Sequence, residues 1–215
     1  MQDAPTPYQR PIRAQYVDPY EVIWLATARR LGLTIGRDPA IFSLTLGDGK
    51  LWLGPRHDLD PDDTLAQMLF HELCHWFTNG IETFHQADWG FDLGDDDDPR
   101  EFGCLRLQAW LADRYDLRAM FSPTGKFRAY FDRIPLDPLA PLDDGPSEAE
   151  IIAIARRAIA TSRLDPYAGL VDSALEATAR LKATLAPFSS DFAPELDASR
   201  LPCLWFVPTP TFEAP

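Results

Sequence analysis

The amino-acid sequence predicts an α+β fold that is mostly helical and contains one small antiparallel sheet. The helices are indicated by periodic segments that follow four identical dipeptides, Asp18-Pro19, Asp60-Pro61, Asp98-Pro99 and Asp165-Pro166. The sheet is indicated by a short stretch of alternating apolar and polar residues between the first two of these helices. The composition, with 46% hydrophobic and 25% charged residues, is typical of a globular protein.

Each Asp-Pro dipeptide predicts a helix start, because Asp accepts hydrogen bonds at the N-cap and Pro fixes φ in the first turn. A fifth start has capping-box spacing between Ser147 and Glu150. The helix that follows Asp60-Pro61 is predicted to end at Asn79-Gly80, a common stop signal. We therefore expect helices at residues 19–31, 61–79, 99–115, 147–162 and 166–186.

The predicted sheet lies between the first two helices. Residues 41–46 alternate between apolar and polar types, residues 47–49 can turn, and residues 51–53 can return as a second strand. Residues 132–146 are rich in proline and aspartate, which predicts a loop. We expect this loop to separate residues 1–135 from a helical extension over 136–215 with a proline-rich tail, the two forming one compact unit.

The segment from His71 to His75 reads His-Glu-Leu-Cys-His and lies inside the second predicted helix. Residues four apart lie on one face of a helix, so both imidazoles can reach a single metal ion. Glu72 stands beside that face, where a carboxylate can act as a base. The chain has only four histidines, so a chance pair at this spacing is the weaker explanation. The motif therefore predicts a metal site.

A third protein ligand is expected, because two histidines do not hold a metal ion tightly. Glu101 is the preferred candidate, since it begins the helix that follows the motif. Its position three residues after Asp98 would also suit a capping box, which would explain Glu101 without a metal ion. Other candidate ligands or supporting groups are His85, Asp88, Asp92 and Gln108.

Charge and cysteine content limit the classes of partner and compartment. The formal net charge of −13 argues against a nucleic-acid surface and suits a basic protein or peptide, or solubility alone. Three cysteines are too few for a disulfide framework, and a Cys74–Cys104 bridge is the lesser alternative to free thiols. No apolar stretch is long enough to span a bilayer, and the N-terminus lacks the apolar region of a signal peptide. We expect a cytoplasmic protein with no nucleic-acid or membrane partner.

The residues that follow the His71–His75 motif form a longer sequence pattern. The chain continues with Trp76, Gly80, the tetrapeptide Asp88-Trp89-Gly90-Phe91, then Glu101 and Gln108-Ala109. This order resembles the elongation factor P hydroxylase family and, more broadly, zincin-like HExxH metalloproteins. The resemblance is specific over residues 71–109.

The resemblance implies a zincin-like fold in which residues 1–135 form the metal-binding catalytic domain. It also implies hydroxylation of a modified lysine on a translation factor by a bound metal ion, with iron as the expected metal. Carried over to this sequence, the implied metal ligands are His71, His75 and Glu101. Glu72 would be an acid–base or supporting group.

The ligand types alone leave the reaction open. Two histidines and one carboxylate with open positions serve zinc hydrolases and non-haem Fe(II) oxygenases alike. The sequence therefore predicts a metal-dependent enzyme, with Zn or Fe(II), that acts on a protein or peptide by hydroxylation. The alternative is a zinc metallopeptidase with Glu72 as general base, which also needs an oxyanion donor from among Tyr115, Tyr130, His85 and Arg106. A non-catalytic zinc-binding module is a second alternative.

Overall fold

The computed structural model describes residues 17–38, 40, 43–54, 63–91, 98–123, 125–142 and 146–189. Within these residues the helices are α1 (Pro19–Arg30), α2 (Leu65–Asn79), α3 (Pro99–Asp113), α4 (Arg128–Phe131), α5 (Pro146–Ser162) and α6 (Tyr167–Ser189). The strands are β1 (Thr34–Arg37), β2 (Ser43–Thr45) and β3 (Lys50–Leu53). Short 3₁₀ turns span Ile81–His85, Ala87–Gly90 and Gly125–Phe127. The α+β class and its mostly helical character are confirmed.

The sheet lies before α2, as predicted, but it is mixed and not purely antiparallel. Its strand order is β1-β3-β2, with β2 antiparallel to β3 and β1 parallel to β3. The sequence stretch of β1 is short and shows no alternation, which is why it was not predicted. Gly36 in β1 lies against the Trp52 ring, where a Cβ would stand 2.5 Å from Cε3. The predicted strand start at residues 41 and 42 lies outside the described residues.

The start of α2 differs from the prediction. The helix begins at Leu65, with Thr64 as its N-cap. The Thr64 hydroxyl accepts from the Gln67 backbone at 3.0 Å, and the Gln67 side chain accepts from the Thr64 backbone at 3.3 Å. This capping box replaces the predicted start at residue 61, because it satisfies two first-turn donors at once. The Asp60-Pro61 dipeptide lies outside the described residues.

Other helix ends follow the predicted signals more closely. The side chains of Asp18 and Asp98 each accept a hydrogen bond from the backbone two residues later, at 2.8 Å, and so cap α1 and α3. Gly80 ends α2 with a φ of 106°, a conformation that favours glycine. Within the predicted loop over residues 132–146, residues 132–142 have no helix or strand, and Pro146 already begins α5. The proline-rich tail from residue 190 lies outside the described residues.

Helix α2 is the centre of the fold. Helices α1, α3 and α5 pack against it, and α6 packs on α1. The rings of Trp24, Phe70 and Phe121 meet with centroids 4.6–5.3 Å apart, and the Trp24 indole donates to Thr178 on α6 at 3.1 Å. This packing buries one side of α2 and leaves the histidine side facing α3.

The orientation of α3 is set by its contact with α5. Arg106 is fully buried and pairs with Glu148, which itself accepts from the Leu142 backbone at 2.9 Å. Nearby, Gly103 permits close helix approach, since a Cβ there would stand 2.4 Å from Ile154 Cγ2.

The predicted division of the chain at residue 135 stays a prediction. Among the described residues, no helix combines the length and apolar character that crossing a bilayer requires.

Candidate metal centre

The two motif histidines face a carboxylate from the neighbouring helix. His71 Nε2 lies 3.6 Å from Glu101 Oε1, and His75 Nε2 lies 3.0 Å from Glu101 Oε2. Ligand atoms about 2.1 Å from a tetrahedral ion stand roughly 3.4 Å from one another. These separations therefore match those of ligands around one small cation.

Two buried atoms in this group have no hydrogen-bond partner among the described residues, His75 Nε2 and Glu101 Oε1. The 3.0 Å approach of His75 to Glu101 brings opposite charges together but lacks the direction of a hydrogen bond. An unpaired buried polar atom costs about 1–3 kcal/mol, so such atoms are uncommon. Imidazole nitrogen and carboxylate oxygen are both ligands of zinc and of iron. The donor set thus fits a divalent metal ion.

The side chain of Glu101 does not complete a capping box. The Asp98 carboxylate accepts from the Arg100 backbone and also binds the Arg100 guanidinium, at 2.8 Å in each case. Glu101, only 8% exposed, instead directs its carboxylate toward α2. The geometry therefore places this residue with the histidines.

Gln108, one of the predicted supporting groups, holds the first histidine. Its Oε1 lies 2.8 Å from His71 Nδ1, while its Nε2 donates to the Phe121 carbonyl at 2.5 Å. The bond to a carbonyl fixes which end of the amide is the donor, so Oε1 must face the imidazole. His71 then carries its proton on Nδ1 and leaves Nε2 free toward Glu101, the usual arrangement for a metal-binding histidine.

Glu72, the predicted base, is held by two donors. The Ser43 hydroxyl on β2 donates to Oε1 at 2.5 Å, and the Trp89 indole donates to Oε2 at 3.4 Å. Glu72 Oε2 lies 3.9 Å from His75 Nδ1, so the carboxylate borders the histidine pair. Sequence reasoning missed Ser43, because strand periodicity marks which face a residue occupies but not which distant side chain it meets.

An unusual turn links the end of α2 to the sheet. Asp88, Trp89 and Gly90 all have left-handed φ values, of 47°, 56° and 81°. For a non-glycine residue this conformation costs on the order of 1 kcal/mol or more, so neighbouring contacts must hold it. Asn79 donates to the Trp89 carbonyl at 2.8 Å, and the Thr45 backbone donates to Asp88 Oδ1 at 3.1 Å. The turn thereby brings the Trp89 indole to Glu72.

The remaining alternative ligands have other partners. His85 is exposed, and its Nδ1 lies 3.4 Å from the Gly47 carbonyl. Asp88 is bound to β2, as described above. Among the proposed oxyanion donors, Arg106 donates to the Tyr130 hydroxyl at 2.7 Å inside the α3–α5 contact, and Tyr115 lies beside Asp172. Their described contacts therefore serve helix packing.

Cys104 is a candidate ligand that sequence reasoning missed. It is fully buried, and its sulfur and one nitrogen of each motif histidine all lie within 4.8 Å of one another. The sequence feature that could have identified Cys104 is its position one helical turn after Glu101, on the helix face that also carries Gln108. Cys104 and Cys74 are both free thiols, so the alternative of a bridge between them is wrong.

The charges within the site are strongly coupled. Burial lowers the pKa of His75, but the carboxylates of Glu101, Glu72 and Asp88, with Glu101 contributing most, together outweigh burial and raise that pKa to about 9. Burial raises the pKa of Glu101, but the imidazoles that it faces, His75 above all, outweigh burial and lower that pKa to about 2. Burial, followed by the charge of His75, lowers the pKa of His71. Without a metal ion, His75 and Glu101 thus form an ion pair and His71 is neutral.

The wider surroundings add little to this assignment. Residues 92–97, which include the candidate ligand Asp92, lie outside the described residues. No protein-family model, no curated protein and no solved structure matches this chain. The resemblance to the hydroxylase family therefore stays a prediction.

Proposed function

We propose that this chain is a metal-dependent enzyme that acts on a protein or peptide substrate. His71, His75 and Glu101 hold one divalent ion, Zn or Fe(II), and Glu72 is the proton-transferring group. The observation that carries the proposal is the pair of buried, unpartnered atoms, His75 Nε2 and Glu101 Oε1, at ligand spacing from the opposing side chains. A cation between them would satisfy both.

Each residue of the site has a distinct task in this proposal. A bound zinc ion supplies Lewis-acid activation, whereas iron supplies oxygen chemistry at the same ligand set. Glu72 takes up or gives back a proton at a carboxylate oxygen. Ser43 and Trp89 hold that carboxylate in one orientation, which keeps the proton acceptor at a defined distance from His75. Gln108 keeps His71 Nε2 free for the ion.

Two reactions are compatible with this arrangement. Hydroxylation of a side chain follows from the resemblance of residues 71–109 to the elongation factor P hydroxylase family. Peptide hydrolysis by zinc is the second candidate, and the nearness of Cys104 favours it, because thiolates prefer zinc. The carboxylates of Glu72, Asp88 and Glu101 gather near the histidines, which suits a basic substrate.

The proposal extends to fold family and location. The small sheet ahead of α2, with its edge strand β2 bonded to Glu72, is the feature that supports a zincin-like fold. We also propose a cytoplasmic location, which is supported by the free thiols of Cys74 and Cys104, both buried in the same region.

The test is metal analysis of protein purified without added metal, combined with an oxygen-consumption assay on basic peptides. About one equivalent of iron with peptide-dependent oxygen uptake is expected for hydroxylation. Zinc at about one equivalent, with no oxygen dependence, would overturn hydroxylation in favour of hydrolysis. The His71→Ala/His75→Ala variant should lose the metal, and His85→Ala, which alters an exposed histidine outside the group, should retain it. Equal metal content in both variants would overturn the proposed site.

A further inference from the structure

The thiol of Cys104 lies beside the two motif histidines. Cys104 follows Glu101 by one turn of α3 and is fully buried, and its sulfur and one nitrogen each of His71 and His75 lie within 4.8 Å of one another, a group that does not include Glu101. Glu101 Oε1, on a side chain that is only 8% exposed, has no hydrogen-bond partner and faces His71. An unsatisfied buried oxygen and a buried thiol therefore converge on the same pair of imidazoles.

The separations are compatible with coordination after a small movement. Nitrogen at about 2.1 Å and sulfur at about 2.3 Å from a tetrahedral ion stand roughly 3.6 Å apart. The ligand atoms of His71, His75 and Cys104 lie at most 4.8 Å from one another. Bringing them to the separation of ligands around one ion therefore requires shifts on the order of 1 Å, which side-chain rotation can supply.

Cys74 provides an internal comparison. It lies between the two histidines in sequence and is as deeply buried as Cys104. Its sulfur does not belong to the described group of converging ligand atoms. A small buried cysteine is commonly a packing residue, and Cys74 fits that description. Burial alone therefore does not distinguish the two thiols, whereas position relative to the imidazoles does.

We propose that Cys104 is a metal ligand, and that its thiolate joins His71, His75 and Glu101 around the ion and selects zinc over iron(II). The inference rests on the metal site of the proposed function and favours the hydrolytic reaction of its two candidates. On binding, the Cys104 sulfur gives up its proton to solvent and bonds to the ion. Zinc can expand to five ligands during catalysis, so a fourth protein ligand still leaves room for a substrate atom.

Cobalt(II) substitution tests the assignment without an activity assay. Cobalt bound to a thiolate gives a near-ultraviolet sulfur-to-metal charge-transfer band, whereas its visible bands report binding by any ligand set. The spectra are recorded on the full chain and on the variants Cys104→Ser, Cys74→Ser and Cys74→Ser/Cys203→Ser. The double variant leaves Cys104 as the only thiol among the three cysteines of the chain, so it needs no change at the proposed ligand.

The charge-transfer band is expected in the wild type, in Cys74→Ser and in the double variant, and should disappear in Cys104→Ser while the visible bands remain. Zinc affinity in Cys104→Ser should fall by roughly 10- to 100-fold or more, the range for residues that support ligands. Visible bands without a charge-transfer band in the double variant would overturn Cys104 as a ligand and leave the proposed function standing. The absence of both kinds of band would overturn the metal site itself.

Discussion

His75 Nε2 and Glu101 Oε2 lie 3.0 Å apart across the contact between α2 and α3. His75 lies on α2, whose other side packs against the aromatic core. Glu101 lies on α3, which packs closely against α5 at Gly103. The opposition of these two residues is thus a consequence of helix packing, and it brings together a nitrogen donor and a carboxylate that local sequence keeps 26 positions apart.

Loss of Glu101 should remove metal-dependent stabilisation. Zinc at ~100 times its dissociation constant should raise the free energy of unfolding of the wild type by about 2.7 kcal/mol, because only the folded chain assembles the site. In Glu101→Ala this increment should largely disappear, while the exposed Glu150→Ala on α5 should keep it. Thermal unfolding with and without zinc measures both. If zinc raises the free energy of unfolding of Glu101→Ala as much as that of the wild type, Glu101 is not a metal ligand.

Replacement of Glu72 should separate binding from turnover. Glu72→Gln keeps the shape of the side chain but cannot accept a proton, so metal content should stay unchanged while turnover falls by about 10²- to 10⁴-fold. Metal analysis and rate measurement on the same preparation check this. The exposed Glu82→Gln variant is the control and should retain full turnover. Undiminished turnover in Glu72→Gln would exclude Glu72 from the chemistry.

Gln108 should act on metal affinity through His71. Gln108→Leu removes the acceptor for His71 Nδ1 and should weaken metal binding by roughly 10- to 100-fold. Gln67→Leu is a matched control, because Gln67 donates to the Ser122 carbonyl as Gln108 donates to the neighbouring Phe121 carbonyl. Both variants should lose about 1–3 kcal/mol of stability from an unpaired buried carbonyl. Competition with a coloured chelator should show weaker metal binding in Gln108→Leu alone.

The ion pair of the metal-free protein should give stability a specific pH dependence. The pKa of His75 is raised from 6.5 to about 9, so its contribution is complete below pH 6.5 and is lost as the pH rises through about 9. The pKa of Glu101 is lowered from 4.5 to about 2, so its contribution is complete above pH 4.5 and is lost as the pH falls through about 2.

Urea unfolding with chelator present measures this dependence. Between pH 6.5 and about 9 the wild type should lose stability more steeply than Glu101→Gln, which lacks the charge that raises the pKa of His75. The same slope in both proteins would contradict an ion pair between these residues.

Two glycines should respond differently to the addition of a methyl group. A Cβ at Gly103 would stand 2.4 Å from Ile154 Cγ2, and overpacking of this kind costs about 1–3 kcal/mol. The higher helix propensity of alanine recovers at most about 1 kcal/mol, so Gly103→Ala should be destabilising or near neutral. Gly169 on α6 has no atom within 4 Å of such a Cβ, so Gly169→Ala should stabilise by about 0.4–1 kcal/mol. Urea unfolding of both variants compares them, and a gain of stability in Gly103→Ala would contradict the tight α3–α5 contact.

Local signals predicted much of the helical structure. The N-caps Asp18 and Asp98 and the stop at Gly80 are each encoded within a few residues, and each is present in the structure. The parallel strand β1 was missed, because its partner β3 is distant in sequence and parallel pairing leaves no turn signal. The predicted start of α2 at residue 61, based on Asp60-Pro61, is too early, because the capping box of Thr64 and Gln67 begins the helix at Leu65.

The sequence by itself determined the spacing of His71, Glu72 and His75, because helical periodicity is a local property that four consecutive residues already carry. Only the tertiary structure decided that Glu101 faces these histidines and does not cap its own helix, that Ser43 bonds Glu72, and that Cys104 lies within reach of the imidazoles. Those contacts join α2 to β2 and α3, and the position of α3 depends on how closely it packs against α5. Such distances follow from the packing of whole elements, which no short stretch of sequence specifies.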